Sequence, residues 1–453
     1  MKILLWHGYL LTGSGSNVYT ANIARSYRHS GHDVVVMCQE RAALEDLDFV
    51  DADGDLTDDN RSVELGESLG IGSATGRCRV VRPAIGRLLP VYVFDRYEGF
   101  DARLFVDLTE AELNEYVERN VAAMVTVLTE FEPDVVITGH EVMGPFIAKR
   151  ACERTGSAFV AKLHGSALEY AVKRQERYRS YASEGLSAAA AVAGGSRYMV
   201  EEAARHIPGW RHKAVVVNPG CDVEIFTPLA RTGSAGVVGF VGKLMAPKGV
   251  HHLLAALPLV EGLRRAVIVG YGGFEAGLRG LAAALRAGDL QRLREIAAAG
   301  EAGPLEHMIR WFEDPPPGYL DAAATLEIEF TGRLEHGPLS RVLPSFDVLA
   351  VPSVVPEAFG MVAAEAAAAG VLPVVPGHSG IGEAGAAVEE AIGRPGWLTF
   401  DPDDPIVSLA QALTRVLLTP IDERREMEAA AVRLARSRWS WHHVADALLE
   451  LAH

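Results

Sequence analysis

Cysteine is scarce: four in 453 residues, Cys38, Cys78, Cys152 and Cys221. None stands at Cys-x-x-Cys spacing, so neither a zinc site nor a disulfide framework is expected, only reduced, buried thiols. No apolar run reaches the roughly 20 residues that span a bilayer. Met1 to Trp6 lack the length and cleavage site of a signal peptide, which makes the cytoplasm the expected location. Positive charge is also short. Lys and Arg number 43 against 59 Asp and Glu, a formal charge of −16, which argues against nucleic acid as a partner and against electrostatic docking on an anionic membrane. Any anion site must therefore be a local gathering of cations. No Gly-x-Ser-x-Gly elbow and no zincin histidine pair occurs, and residues 239–244 lack the P-loop pattern that orders phosphate and magnesium. The run Asp51, Asp53, Asp55 resembles a metal loop. However, Leu56 stands where a calcium hand needs glycine and Ser62 where it needs its closing glutamate, so no metal is expected.

What is present is a 49% hydrophobic, globular composition of a length that suits two domains. The strand Lys2–Trp6, a Gly/Ser loop, a helix from about Asn17 to Ser30 and the strand Asp33–Met37 make a βαβ opening. Apolar runs at 134–137, 158–161 and 189–193 continue it. A second series runs through 236–241, 266–269, 326–330, 348–351 and 371–375. Continuously apolar strands imply parallel sheets covered on both faces. The expectation is an α/β protein of two doubly wound, Rossmann-like domains, 1–220 and 221–435, with the last helix, 436–453, rejoining the first. Residues from about Arg41 to Asp101 read as irregular and Gly-rich, and Leu278 to Tyr319 as a helical insertion.

The most informative stretch runs from Pro356 to Glu365. Pro356 and Gly360 break the chain after a strand, and helix formers continue from Met361, so Glu357 precedes a helix and Glu365 lies inside it. Eight helical residues would separate the carboxylates by roughly 12 Å, too far to flank one glycosidic bond. They suit different parts of one long ligand, and the open amides of Gly360, Met361 and Val362 suit a diphosphate between them. Gly242 to Val250 follows the first strand of the second series and places Lys243 and Lys248 where ligands bind in open α/β sheets. The N-terminal loop Gly13, Ser14, Gly15, Ser16 opens onto a helix and can bring amides close to a ligand. His164, and with less claim His140, ends an apolar strand. Val269 to Gly273 lacks the rest of a dinucleotide fingerprint and reads as a strand-ending turn.

Together these motifs resemble the retaining glycosyltransferases of family 4, over nearly the whole chain. The resemblance rests on Glu357 to Glu365 with its Phe359-Gly360, on Gly242-Lys243 to Lys248-Gly249, and on Gly13 to Ser16. Asn218 to Asp222 resembles the interdomain signature, Phe330 to Leu334 the nucleobase loop and Trp439 to Leu451 the returning helix. It implies the GT-B fold, two Rossmann-like domains facing across a cleft, the first for the acceptor and the second for the donor. It further implies that Lys243 and Lys248 bind the leaving diphosphate, that Glu357 contacts sugar hydroxyls, that Glu365 accepts from the ribose and that His164 lies beside the sugar. Gly13, Ser14, Gly15, Gly242, Arg333, Phe359, Gly360, Met361, Val362, Ser379 and Gly380 would line the donor site. Lys243 stands where the family has arginine, which keeps charge and loses bidentate geometry.

The expected substrate is a nucleoside diphosphate sugar, most often a UDP-sugar in this family, with no cofactor and no metal. The helix Glu110 to Phe131 is acidic rather than basic, which favours a small soluble acceptor, for example a cyclitol or aminocyclitol, and no stable membrane association. Asn17, Tyr97, Glu98, Glu169 and Lys173 are the acceptor candidates, although Lys173, Arg174, Arg177 and Arg179 also read as a solvated helix face. Self-association stays open. Two other readings also stay open: a sugar-nucleotide epimerase, and a catalytically silent sugar-nucleotide-binding protein.

Overall fold

The computed structural model describes residues 1–42, 46–68, 76–93, 97, 99–229 and 236–452. The chain divides into two compact units, Met1–Pro219 with Trp441–His453, and Gly220–Ser440. The return to the first unit therefore starts at Trp441 rather than 436, because the preceding helix, Ile421–Arg438, belongs to the second.

The first unit carries strands β1 (Lys2–Trp6), β2 (Asp33–Met37), β3 (Ala52–Leu56), β4 (Val63–Ser68), β5 (Arg77–Arg82), β6 (Leu88–Val91), β7 (Asp101–Leu104), β8 (Val135–Gly139), β9 (Val160–Lys162), β10 (Ala191–Gly194) and β11 (Ala214–Val216). Nine of them form one sheet in the order β11-β10-β9-β8-β1-β2-β5-β3-β4, while β6 and β7 pair separately. All the nine-stranded pairings are parallel except β3 with β4. The described part of 41–101, expected to be irregular, thus supplies four strands and the first residue of β7. Its aspartates are structural: Asp51 is clamped by Arg28, and Asp53 and Asp55 both face Arg82 across β3 and β5. The helix expected from Asn17 starts at Gly15 and ends at His29.

The second unit has β12 (Val237–Val241), β13 (Arg265–Val269), β14 (Ile328–Gly332), β15 (Val348–Ala350), β16 (Leu372–Pro376) and β17 (Thr399–Phe400). Their order, β14-β13-β12-β15-β16-β17, is wholly parallel. Numbered from β12 this is 3-2-1-4-5-6, the doubly wound order whose direction reverses between the first and fourth strands. The insertion is helical, with Glu275–Ala287, Leu290–Ala299 and Glu306–Glu313. Each unit has its own apolar core, and all four cysteines are buried and unpaired.

A buried ion pair fixes the start of β15. Arg424 Nη2 donates to Asp347 Oδ1 at 2.9 Å with both side chains 1% exposed, and Asp347 Oδ2 accepts the amide of Val237 at 2.9 Å. Breaking such a pair leaves an uncompensated buried charge. Arg424→Ala should therefore destabilise the second unit by about 3–5 kcal/mol, measured by urea unfolding; a change below about 1 kcal/mol would contradict this role.

Candidate functional site

Strands β12 and β15 flank the reversal point of the second unit, and the loops leaving their carboxyl ends carry the candidate residues. The β12 loop continues through a tight turn, Ala246–Lys248, to Gly249, whose φ is +70°. A Cβ at Gly249 would lie 1.7 Å from the Pro352 carbonyl oxygen, so only glycine allows this approach. The amide of Val354 donates to the Pro247 carbonyl at 2.9 Å and ties the loops together. The result is that Lys248 Nζ donates to Glu357 Oε1 at 2.8 Å, with side chains 34% and 16% exposed.

Glu357 is held from several sides. The Ser353 hydroxyl donates to the same Oε1 in a short contact. The Glu357 amide donates to Ser379 Oγ at 3.0 Å, and the Gly380 amide donates to the Glu357 carbonyl at 2.9 Å. Ser379 occupies the left-handed region, φ 54°, and its Oγ is 3.0 Å from His378 Nδ1, while His378 Nε2 is buried without a partner. The helix Met361–Ala368 then starts at Gly360, φ 89°, with no side-chain cap. A Cβ at Gly360 would meet Ile381 Cδ1 at 2.0 Å. Five buried alanines let this helix lie close in the core, while Met361 and Val362 at its start are half-buried.

Other expected donor residues fall differently. Lys243 is exposed and, among the described residues, has no ion-pair partner. Gly242 is locked by its amide to Val269. Phe359 is 3% exposed and packs edge to face on Trp439, so its ring anchors the loop from inside instead of offering a surface. Glu365 lies 3.8 Å from His336 Nε2 and raises that imidazole's pKa. Arg333 pairs with Glu335 and lies over the exposed Tyr271 ring at 5.3 Å. Tyr271 comes from the turn read above as a mere strand ending.

In the first unit the reversal lies between β1 and β8. His7, His140 and Glu141 follow those strands, and His164 follows β9. His140 stands 5.6 Å from His7 and 4.9 Å from His164, ring centre to ring centre. Burial lowers the pKa of all three, His7 to about 4, so they are neutral at pH 7. Asn17 donates to the Thr12 carbonyl, so its Oδ1 faces His7 Nε2 at 2.8 Å and fixes the proton there. Glu141 Oε1 accepts the amides of His164 and Gly165 at 3.1 and 2.8 Å, and burial raises its pKa. Glu141 Oε2, His140 Nε2 and the Tyr19 hydroxyl are buried without partners. Such atoms ask for a water or a ligand. Among the described residues no group of three or more His, Cys, Asp or Glu could hold a metal ion.

The acceptor candidates are less concentrated. Asn17 serves His7, as above. Lys173 is taken up by Glu169 at 2.6 Å and Glu202 at 2.7 Å, Arg179 pairs with Glu176, and Arg177 donates to the carbonyls of Phe105 and Leu108. Lys173 and Arg179 are thus neutralised by carboxylates, whereas Arg177 is held by carbonyls. Tyr97 is half-buried, and Glu98 lies outside the described residues. Gly13 and Ser14 form an exposed turn onto the helix that starts at Gly15, and Ser14 makes no side-chain cap.

Residues 14–220 match the model of a glycosyl transferase 4-like domain and residues 313–419 that of the glycosyl transferases group 1. The chain belongs to the family 4 glycosyltransferases. It is 35% identical over 258 residues to a D-inositol 3-phosphate glycosyltransferase of Corynebacterium urealyticum, covering 53% of this chain and 51% of that protein. It is 32% identical over 221 residues to a glycogen synthase of Mycobacterium tuberculosis, covering 49% and 43%. The chain thus spans about half the length of these relatives. Among solved structures, HepE of Anabaena in complex with UDP superposes with a TM-score of 0.62 at 16% identity over 99% of both chains. Sucrose-phosphate synthase of Thermosynechococcus elongatus gives 0.60 at 17% identity over 99% and 98%. At these identities the structural likeness establishes the GT-B fold alone.

Lys162 gives the family fold of the first unit a titrating core. It is 2% exposed, donates to the Val217 carbonyl at 2.7 Å and lies over the Tyr19 ring. Burial lowers its pKa from 10.5 to about 7, opposed by Glu141. Between these values the unfolded chain keeps a proton that the folded chain has released. Stability should therefore rise with pH across that window by up to about 1.4 kcal/mol per unit relative to Lys162→Met. Urea unfolding of both proteins at pH 7, 8 and 9 measures it, and parallel pH profiles would contradict the assignment.

Proposed function

We propose that the chain is a retaining, metal-independent hexosyltransferase. It moves a glucose- or N-acetylglucosamine-type group from a nucleoside diphosphate sugar, a UDP-sugar in the favoured case, to a hydroxyl of a small soluble acceptor in the cytoplasm. The observation that carries this reading is the Lys248–Glu357 pair beside an uncapped helix start at the reversal point of the second sheet. Lys248 offers charge to a diphosphate, the amides at Gly360 to Val362 offer donors to its oxygens, and Glu357 offers an acceptor to sugar hydroxyls. HepE of Anabaena, similar in fold, has been crystallised with UDP and with UDP-glucose, which supports uridine as the base.

In this mechanism the bond between the anomeric carbon and the phosphate oxygen breaks, leaving positive charge on the ring and negative charge on UDP. Lys248 and the helix amides stabilise the latter. The departing phosphate oxygen takes the proton of the acceptor hydroxyl, whose oxygen bonds to the same face of the anomeric carbon. Configuration is retained without a protein nucleophile. Glu365 with His336, and Tyr271 with Arg333, are the candidates for the ribose and the base.

For the acceptor we favour a polyhydroxylated molecule such as a cyclitol or aminocyclitol. Three neutral imidazoles and the unpaired Glu141 oxygen suit hydroxyl groups, whereas Lys173 is already neutralised by Glu169 and Glu202 and offers little to an acceptor phosphate.

A thermal-shift panel of UDP, GDP, ADP and their sugars should show stabilisation by the uridine compounds, since a ligand of the folded state raises stability by mass action. No shift with any nucleotide would overturn the reading. Lys248→Ala should lower turnover at saturating donor at least about tenfold, a barrier change above about 1.4 kcal/mol; an unchanged rate would remove Lys248 from the mechanism. Conversion of the donor to its epimer without acceptor would establish the epimerase instead.

A further inference from the structure

The insertion, which the family matches leave out up to residue 312, builds one wall of a cavity. His307, Arg310 and Trp311 on the helix Glu306–Glu313 precede the region matched from residue 313. They face the segment Asp403 to Ile406 around a space of about 300 Å³. That volume is at the lower end of small-molecule sites. Everything that lines it belongs to the second unit, and none of it belongs to the Lys248–Glu357 site.

The wall is held in place from behind. Arg310 Nη2 lies 3.2 Å from His307 Nδ1; a guanidinium only donates, so His307 accepts there and carries its proton on Nε2. The His307 ring meets the buried His252 edge to face at 5.4 Å, and His252 lies 4.2 Å from His251. Trp311 meets the Tyr319 ring at 5.5 Å, and its indole nitrogen is buried without a partner.

The lining narrows the ligand class. Asp403 and Asp404 disfavour a phosphate, and Arg310 disfavours a simple cation. What fits an indole among two carboxylates, a guanidinium and an imidazole is an uncharged molecule with both hydroxyls and apolar C–H faces. We propose that this cavity is a carbohydrate-binding site for one or two hexose units, separate from the donor site and peculiar to the insertion.

The full chain is titrated with maltotriose and with glucose, in the presence of saturating UDP, by saturation-transfer NMR. The expected result is saturable binding that survives Lys248→Ala and weakens at least about tenfold in the double variant Asp403→Ala/Asp404→Ala. Both carboxylates are exposed, so these changes spare the core; His307→Ala provides a second variant with the same expectation. No saturable binding of either saccharide, or binding that neither variant alters, overturns the site. Loss of UDP binding with saccharide binding intact would count against the proposed function and leave this site standing.

Discussion

Everything in the second unit that resembles chemistry depends on one close backbone approach. Gly249 must pass the Pro352 carbonyl at a distance no side chain permits. If those two loops stood apart by the width of a methyl group, Lys248 and Glu357 would be two ordinary surface charges. Held together at the reversal point of a parallel sheet, they make a pair whose cation and anion can turn to different parts of one ligand. The pair is partly exposed, so its own contribution to stability is small.

The first unit solves a different physical problem. Its site has almost no free charge. Burial keeps three imidazoles neutral, lowers the pKa of a lysine and raises that of a glutamate, so the reversal point there offers hydrogen bonds rather than a field. Such a surface suits an uncharged polyol, as the second unit's suits a diphosphate. No helix among the described residues is long and apolar enough to cross a membrane.

Much of the scaffold was legible because long apolar strands and Gly-rich turns carry local signals: β1, β2, β12 and the helix Glu110–Phe131 stand close to where their residues placed them. The strands of 41–101 were not. Ala52–Leu56 reads Ala-Asp-Gly-Asp-Leu, poor strand formers held in place by Arg82 from a strand about 25 residues on. Glu357 and Lys248 were singled out by loop position together with the motifs around them. Ser353, His378, His336 and His7 were not, nor was the grouping of His7 with the strand-end candidates His140 and His164, since each acquires meaning only when separate strand ends converge. Phe359 shows the opposite error: a motif residue whose ring is spent on Trp439.

The central claim is that Glu357 grips the sugar while Lys248 grips the diphosphate. Calorimetric titration of UDP and UDP-glucose into the native chain and Glu357→Ala tests it most directly. The account predicts that the variant binds UDP as well as the native chain does, or better with Lys248 released, and that UDP-glucose loses whatever advantage it holds over UDP. Equal weakening of both ligands, or no change in either, would contradict it.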